Sequence, residues 1–434
     1  MRLVSHLDAD GLCSASLIAK VLLDYNKKFH LSIVKQLEKE IVDSLEKEGY
    51  NAFIFTDIGS GQLNEVKRLL SKGTVIIIDH HPPKEQIDSD NLILINPHSF
   101  GIDGGNEVSA STIAYLVARE FGIVNFEHLS VIGTIGDMQE KDGELNGLNR
   151  LVLENAADTI NVRKGLKAFG RISKPLHKII AYSTEHIPDV SGDESSAIQF
   201  LSDIGIELKK DGEFRTLSDL SEDEEKLLIT NIIMKRLNKT ENPQKVVSNV
   251  YTFLGKPGLL ADAHEFATLL NSCGRQQLQS IGIMLCLGEN KDALKMAEDI
   301  IASYKRKLLK AIKWVEKNND DLESFRKTDS AIYIIGKTNI PDTLIGTLCS
   351  MLVNSEKIER NIILGFADSD DGVKVSGRAA SKIDFDIGSA IATTTAALGG
   401  EGGGHGKAGG AKIKKGQENE FIEIFEQTIK NIKG

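Results

Sequence analysis

The chain has 434 residues, of which 41% are hydrophobic and 26% charged, and its formal net charge at pH 7 is −10. This length predicts two or three domains, and the acidic balance argues against the broad basic surface of many nucleic-acid-binding proteins. No apolar run approaches the ~20 residues of a membrane-spanning helix, and the four cysteines form no CxxC pair. We therefore expect a cytoplasmic protein with free thiols, no signal peptide and no membrane association.

The first half of the chain alternates short apolar runs with helical patterns. The apolar runs predict strands at residues 3–5, 31–34, 52–56, 74–78 and 92–95. Helical spacing predicts helices at residues 12–23, 63–70 and 109–121. This alternation is typical of βαβ units with a mainly parallel sheet. The apolar run at 129–135 fits a buried strand or a buried helix, since periodicity does not separate the two.

The pattern changes in the second half of the chain. Helical periodicity dominates from about Glu154 to Arg326, and residues 292–317 predict one long amphipathic helix. Strands are then predicted at 331–335, 361–365 and 373–376, with helices at 344–353 and 418–432. We predict an α/β protein in three parts. These are an N-terminal domain with a mainly parallel sheet and flanking helices (1–153), a helical middle region ending in the long linker helix (154–325), and a smaller α/β domain (326–434).

Acidic and imidazole side chains follow the predicted strands of the first domain. Asp79, His80 and His81 come directly after strand 74–78, and two prolines prevent a regular continuation. Ligands bind beyond the carboxyl ends of strands in open α/β sheets, so residues of these types at strand ends indicate a site. The complete set is His6, Asp8, Asp10, Asp57, Asp79, His80, His81 and Asp137.

This set of carboxylates and imidazoles predicts a metal site. The carboxylates would repel one another strongly unless cations lay between them. Mixed oxygen and nitrogen ligands suit Mn²⁺, Zn²⁺ or Mg²⁺, and the absence of cysteine argues against structural zinc. Two metals ~4 Å apart and bridged by one carboxylate are the usual arrangement for cleaving a phosphoester. The alternative is that the aspartates are helix N-caps, which is the commoner role for any single one.

The same residues resemble a known family. Segments 6–10 (HLDAD), 56–57 (TD), 79–83 (DHHPP) and 136–137 (GD) resemble the four motifs of the DHH phosphoesterase superfamily, and segment 399–405 (GGEGGGH) resembles its C-terminal DHHA1 domain. Segments 31–36, 96–97, 136–139, 265–275 and 340–346 are similar to archaeal RecJ-type exonucleases, including the GINS-associated nuclease group. No motif residue is degenerate, which argues against the inactive replication-scaffold relatives.

The resemblance implies a role for each motif residue. It implies a first metal ion held by His6, Asp8 and Asp57, and a second held by Asp10, Asp57, His80 and Asp137. It further implies that Asp79 orients a ligating imidazole and that His81 contacts the scissile phosphate or assists the leaving group. The implied cofactors are two Mn²⁺ ions, with Mg²⁺ as the alternative.

Residues 399–410 hold eight glycines in twelve positions. Such a composition also occurs in flexible linkers, but the amphipathic helix that follows indicates a folded segment. Glycines let backbone N–H groups approach an anion closely, and the resemblance implies that this loop holds nucleic acid. The candidate substrate-binding residues are Gly402, Gly403, Gly404, His405, Arg378 and Arg275. For Arg275 a surface salt bridge is an equally good interpretation without the resemblance.

These observations lead to three hypotheses. The first is a metal-dependent exonuclease that degrades single-stranded DNA, or RNA, to mononucleotides in replication or repair; the resemblance favours 5′→3′ polarity, with 3′→5′ as the alternative. The second is a phosphodiesterase of oligoribonucleotides or cyclic dinucleotides. The third is a replication or repair scaffold with secondary nuclease activity, whose protein partner would bind near the acidic stretch 222–226.

Overall fold

The computed structural model describes residues 1–183, 185–288, 291–353, 361–380 and 383–433, without the side chains of residues 291, 301, 305, 401, 405, 432 and 433. The chain forms two compact units, Met1–Ile300 and Ile301–Gly434. Within the described ranges, no helix combines the length and the apolar character needed to cross a bilayer. The division into domains 1–153, 154–325 and 326–434 stays a prediction.

Five parallel strands form the central sheet of the first unit. They are β1 (Arg2–His6), β2 (His30–Val34), β3 (Ala52–Thr56), β4 (Thr74–Ile78) and β5 (Leu92–Ile95). Their spatial order is β2-β1-β3-β4-β5. These strands confirm the predicted ones to within a residue, because β-branched and aromatic side chains fill both faces of the central strands. Ile76 is an exception and is only half-buried. All five carboxyl ends lie at one edge of the sheet.

Six helices accompany this sheet. They are α1 (Ala9–Asp24), α2 (Lys39–Lys47), α3 (Leu63–Val66), α4 (Ala110–Glu120), α5 (Glu127–Gly136) and α6 (Gly147–Glu154). Helices α1, α4 and α5 pack against one another. The ambiguous run 129–135 is therefore helical, within α5. The helix predicted at 63–70 is shorter than expected, since a 3₁₀ segment (Lys67–Ser71) follows α3.

The middle of the chain is mainly helical, as predicted. Its helices are α7 (Leu176–Ala181), α8 (Glu194–Asp203), α9 (Glu222–Arg236), α10 (Ala263–Arg275) and α11 (Gln279–Leu287). Strands β6 (Ile160–Leu166) and β9 (Val247–Phe253) pair antiparallel, and β7 (Lys209–Lys210) pairs with β8 (Glu213–Phe214). These four strands were not predicted. In β6, exposed polar residues interrupt the apolar pattern.

The acidic stretch 222–226 begins helix α9. The Ser221 side chain accepts from the Glu224 N–H, and the Glu224 side chain accepts from the Ser221 N–H, which forms a capping box. Glu225 is buried, and its carboxylate pairs with Arg171 and Arg163. Helix capping and internal ion pairs therefore account for much of this acidity, and a partner surface here stays a prediction.

The second unit contains a six-stranded mixed sheet beside the long helix α12 (Lys291–Lys317), in which the boundary between the units falls. The remaining elements are β10 (Phe325–Lys327), β11 (Ile332–Lys337), α13 (Asp342–Val353), β12 (Ile362–Ser369), β13 (Gly372–Ala379), α14 (Ile387–Ala397), β14 (Glu401–His405), β15 (Ala408–Ile413) and α15 (Glu418–Lys433). The strand order is β10-β11-β12-β13-β15-β14. In this sheet, as far as the structure describes it, β11 and β12 pair in parallel and the other pairs are antiparallel. Phe421, Phe425 and Ile429 of α15 are buried, as its apolar pattern predicted.

The glycine-rich segment, predicted as a loop, is the β14–β15 hairpin. Its glycines allow close packing: a Cβ on Gly402 would lie 2.6 Å from Thr395 Oγ1 of α14, and one on Gly404 would lie 2.2 Å from the Ala408 carbonyl oxygen. The linker interpretation is therefore wrong. The sequence did not predict this hairpin because strands built from glycine lack the side chains on which strand prediction depends.

Candidate metal centre

The eight predicted side chains lie together at the carboxyl edge of the first sheet. His6 ends β1, Asp57 follows β3, and residues 79–81 follow β4, while Asp137 ends helix α5. Potential ligand atoms lie within 4.8 Å of one another in three groups. We call His6, Asp8 and Asp57 the outer ligand set, and Asp10, His80 and Asp137 the inner ligand set. The third group contains Asp57, Asp79, His80 and His81.

Asp8 is both a helix cap and a member of the outer ligand set. Its Oδ1 accepts from the Gly11 N–H at 3.0 Å at the start of α1, and its Oδ2 lies 2.9 Å from His6 Nδ1. A Cβ on Gly11 would lie 2.3 Å from the His6 carbonyl oxygen, so the turn tolerates only glycine there. The two interpretations of Asp8 are thus compatible, because each role uses a different carboxylate oxygen.

Asp10 of the inner ligand set is held by the start of another helix. Its two oxygens accept from the N–H groups of Ala110 (2.8 Å) and Ser111 (2.9 Å) in the first turn of α4, where the helix dipole favours negative charge. The side chain is fully enclosed. Burial, followed by the nearby charges of Asp57 and Asp137, raises the pKa of Asp10 to about 7. Without a cation, this carboxylate therefore holds its proton unusually tightly.

Asp57 stands between the two ligand sets. Its Oδ2 lies 3.4 Å from His6 Nδ1, and its Oδ1 lies 3.3 Å from His80 Nε2. The backbone reaches this position with a φ of 57°, which is uncommon for a residue with a side chain. Oδ2 is buried and has no hydrogen-bond partner among the described residues. Asp57 therefore presents one carboxylate oxygen to each of two groups of potential ligands.

His80 presents one ring nitrogen to the cluster. Its Nδ1–H donates to the Gly104 carbonyl oxygen at 2.6 Å, so Nε2 faces Asp57 and, at 3.7 Å, Asp137 Oδ2. Within the described part of the chain, the buried Nε2 has no hydrogen-bond partner. Burial opposes a charge on the ring, but Asp57, Asp10 and Asp137 outweigh it and raise the pKa of His80. A bound cation would take the place of that proton.

Asp79 orients His81 rather than His80. Asp79 Oδ1 accepts from the backbone N–H (3.2 Å) and the Nδ1–H (2.8 Å) of His81, and Oδ2 accepts from the Ser60 N–H. Burial would raise the pKa of Asp79, but the two imidazoles lower it to about 2. Burial would lower the pKa of His81, but Asp79 raises it. Asn96 Nδ2 completes the arrangement by donating to the His81 carbonyl oxygen at 2.9 Å.

The residues fit divalent cations. Two buried atoms that point into the cluster, Asp57 Oδ2 and His80 Nε2, lack hydrogen-bond partners in the described residues. The pKa of Asp137 is raised to about 6, first by burial and then by Asp57 and Asp8 against the opposing effect of His80. Buried carboxylates and neutral imidazole nitrogens at this density are donors for Mn²⁺ or Mg²⁺.

The predicted substrate-binding residues occupy both units. Arg275 is the last residue of α10, in the first unit. It follows Gly274, where a Cβ would lie 1.8 Å from the carbonyl oxygen of Leu7 in the first motif. In the second unit, Arg378 of β13 donates from Nε to Ser350 Oγ at 2.8 Å and from Nη1 to the Gly377 carbonyl oxygen at 2.7 Å. Gly402, Gly403 and Gly404 lie in β14. The side chain of His405 lies outside the described residues.

Three regions of the chain match known domain families. Residues 2–134 match the sequence profile of the DHH family, N-terminal domain. Residues 168–250 match the DHH-CID domain, and residues 329–431 match the DHHA1 domain.

Similar proteins extend these matches over the whole chain. The chain is 34% identical to the uncharacterized protein MJ0831 of Methanocaldococcus jannaschii, over 99% of this chain and 93% of that protein. CDC45 from Entamoeba histolytica has a similar structure, with a TM-score of 0.66 at 11% identity over 98% of this chain and 94% of CDC45. The structure of RecJ in complex with Mn²⁺ from Thermus thermophilus gives a TM-score of 0.59 at 16% identity over 99% of this chain. The chain spans 52% of that RecJ, and at these identities the two structural likenesses show the fold alone.

Proposed function

The chain belongs to the DHH family of proteins that carry a C-terminal DHHA1 domain, and from this premise we propose that it is a divalent-metal-dependent phosphodiesterase. The proposed reaction releases mononucleotides from the end of a single strand of DNA or RNA, in replication or repair. The observation that carries the proposal is the position of Asp57, whose two oxygens face His6 on one side and His80 on the other. This places one carboxylate between two sets of metal-type ligands.

Two ions are proposed, with Mn²⁺ favoured and Mg²⁺ as the alternative. The outer ligand set would hold one ion and the inner ligand set the other, and Asp57 would serve both. When bound, the cations would lower the pKa of a water and offset the negative charge of the phosphate. Structures of Thermus thermophilus RecJ in complex with Mn²⁺ and in complex with Mg²⁺ support a divalent cation of either kind.

His81 is proposed to act directly on the phosphate. Asp79 binds Nδ1–H, so Nε2 lies on the opposite side of a ring whose side chain is 51% exposed. Asp79 raises the pKa of His81 and so favours the protonated ring. The imidazolium can then donate a hydrogen bond to a phosphate oxygen, or a proton to the leaving oxygen. Asp79 holds the ring in place and offsets its charge.

Substrate type and polarity can be tested with one set of labelled strands. Single-stranded DNA and RNA, blocked at either the 5′ or the 3′ end, would be incubated with the full chain and Mn²⁺, with EDTA controls. We expect mononucleotides from strands with a free 5′ end and none in EDTA. Full turnover in excess EDTA would contradict the proposal, and digestion only from free 3′ ends would reverse the polarity. Cleavage of cyclic dinucleotides but not of longer strands would favour the second hypothesis.

The second unit is proposed to bind the strand. Arg378 is anchored by Ser350 and a backbone carbonyl, and a planar guanidinium held in this way can bind a phosphate with two hydrogen bonds. Arg378→Ala, and His405→Ala in the β14 hairpin, are expected to raise KM and leave Mn²⁺ affinity unchanged. An unchanged KM in both variants would count against a role of this unit in binding. The scaffold hypothesis would instead gain support if Asp10→Ala/Asp57→Ala retained full biological function.

A further inference from the structure

Two buried amide side chains lie behind the metal centre. Gln139 is 2% exposed and Asn149 of α6 is 1% exposed, and Asn149 Nδ2 donates to Gln139 Oε1 at 3.0 Å. Buried amides are strongly destabilising unless their donors and acceptors are paired. The remaining hydrogen bonds of this pair lead towards the inner ligand set.

Gln139 fixes two members of the inner ligand set with one NH₂ group. Its Nε2 donates to Asp137 Oδ2 at 2.8 Å and to the Gly104 carbonyl oxygen at 3.0 Å. The same carbonyl oxygen accepts the Nδ1–H of His80. Met138, with a φ of 60°, lies between Asp137 and Gln139. This uncommon backbone conformation lies where the chain must turn so that both flanking side chains enter the site.

Asn149 fixes helix α4, which holds Asp10, the third member of the inner ligand set. Its Oδ1 accepts from the Ser109 N–H (3.1 Å), from Thr112 Oγ1 (2.6 Å) and from Thr134 Oγ1 (3.1 Å). Ser109 is the N-cap of α4. The next two N–H groups of that helix are the ones that bind Asp10. The position of Asp10 thus depends on the same amide that orients Gln139.

We propose that Asn149 and Gln139 act together as positioning residues for one of the two metal ions, the one held by the inner ligand set. This inference rests on the proposed function and adds to it a selectivity between the two ions. None of the hydrogen bonds described for either amide reaches His6, Asp8 or Asp57. Loss of the pair should therefore weaken the inner ion and spare the outer one.

The test is the titration of metal-free full-length protein with Mn²⁺, followed by calorimetry and by electron paramagnetic resonance. Gln139→Leu removes both donated hydrogen bonds, and Asn149→Ala removes the support of Gln139 and of α4. Loss of a residue that hydrogen-bonds to a metal ligand typically lowers the metal affinity about 10–100-fold. We therefore expect two binding events in the wild type. In each variant, the event that belongs to the inner ion should be weakened by about this factor. The signal of the spin-coupled Mn²⁺ pair should disappear at concentrations that still fill the outer site.

Two further variants separate positioning from general destabilisation. Val152→Ala removes buried apolar volume from the same helix without touching a polar group, and both affinities should stay unchanged. Asn149→Asp keeps an acceptor for Ser109, Thr112 and Thr134 but loses the donor to Gln139. The new oxygen would face Gln139 Oε1, so this variant should weaken the inner ion although the acceptor for α4 remains.

The outcomes distinguish this inference from the proposed function. A wild-type protein that binds two ions, with both affinities unchanged in Gln139→Leu and Asn149→Asp, would overturn the positioning role alone. Equal weakening of both events would overturn the selectivity. A wild-type protein that binds no Mn²⁺ would overturn the proposed function and this inference with it.

Discussion

The two ligand sets are held in place by different means. In the outer ligand set, the side chains of His6 and Asp8 are 30% and 29% exposed and pair with each other, and Asp8 caps its own helix three residues on. In the inner ligand set, Asp10 and His80 are enclosed, and their partners lie 24 to 101 residues away along the chain. His6 and Asp8 thus depend mainly on one local turn, whereas Asp10 and His80 depend on the completed fold. Asp137 combines the two cases, since its side chain is 30% exposed and it is bound by Gln139, two residues on. The inner ion should therefore be the more sensitive to distant substitutions.

The largest expected effect comes from Asp57, the member of the outer ligand set that also faces His80 of the inner ligand set. Asp57→Asn removes the charge that faces His6 and His80, and we expect activity to fall by at least about 10⁴-fold with neither ion bound tightly. Single-turnover hydrolysis of a labelled strand and Mn²⁺ calorimetry would measure both effects. Asp43→Asn, at a half-buried carboxylate that pairs with Arg68 away from the cluster, is the matched control. Activity within tenfold of wild type in Asp57→Asn would refute the bridging role.

Substitution of His81 should affect proton transfer without affecting metal binding. His81→Gln is expected to lower kcat by roughly 10²–10⁴-fold while both Mn²⁺ events persist, because Asp79 and not a metal ligand orients the ring. Steady-state kinetics and the same calorimetry would measure this. Loss of an ion in the variant would instead make His81 a ligand, as its place in the group with Asp57 and His80 allows.

The contrast between the sets can also be measured without any metal. His80→Ala leaves a buried site between several carboxylates and removes a donor to Gly104, so we expect it to lower the free energy of unfolding by about 1–3 kcal/mol. His6→Ala should have less effect, since its side chain is partly solvated. Urea unfolding in EDTA tests this, and a larger loss in His6→Ala would reverse the comparison.

The smallest expected effect concerns helix α10, which lies against the first motif. Helix α10 contacts the first motif through Asn271 Oδ1, which accepts from the Ala9 N–H at 3.0 Å. At its other end, His264 Nε2 lies 2.7 Å from Glu140 Oε2. Burial would lower the pKa of His264, but Glu140 raises it.

The sign of the resulting pH dependence follows from that shift. The imidazolium stabilises the folded state below the unfolded pKa of about 6.5, and this stabilisation is lost as pH rises through the higher folded pKa. Compared with His264→Gln, the wild type should be more stable by on the order of 1 kcal/mol at pH 5.5, and the difference should shrink above neutral pH. Urea unfolding at several pH values measures this. A difference in unfolding free energy that grows with pH would contradict this prediction.

The sequence predicted the sheet and the cluster of acidic and imidazole side chains, but not the partners that orient them. The strands of the first sheet are continuous apolar runs, and each clustered residue lies at a strand end or in a short motif, so both leave local signals. Gly104 acts through its backbone carbonyl, which has no sequence signature. Asn149 is one amide among many, and its role depends on contacts with residues up to 40 positions away. The sequence did not predict the β14–β15 hairpin because its glycines act by allowing close packing, and they carry no side chains from which a strand could be predicted.

The most direct test of the two-set centre is anomalous diffraction at the manganese edge from crystals of the full chain soaked in Mn²⁺. We expect two peaks, one among His6, Asp8 and Asp57 and one among Asp10, His80 and Asp137, with Asp57 between them. A single peak, or two peaks with Asp57 bound to neither, would contradict it.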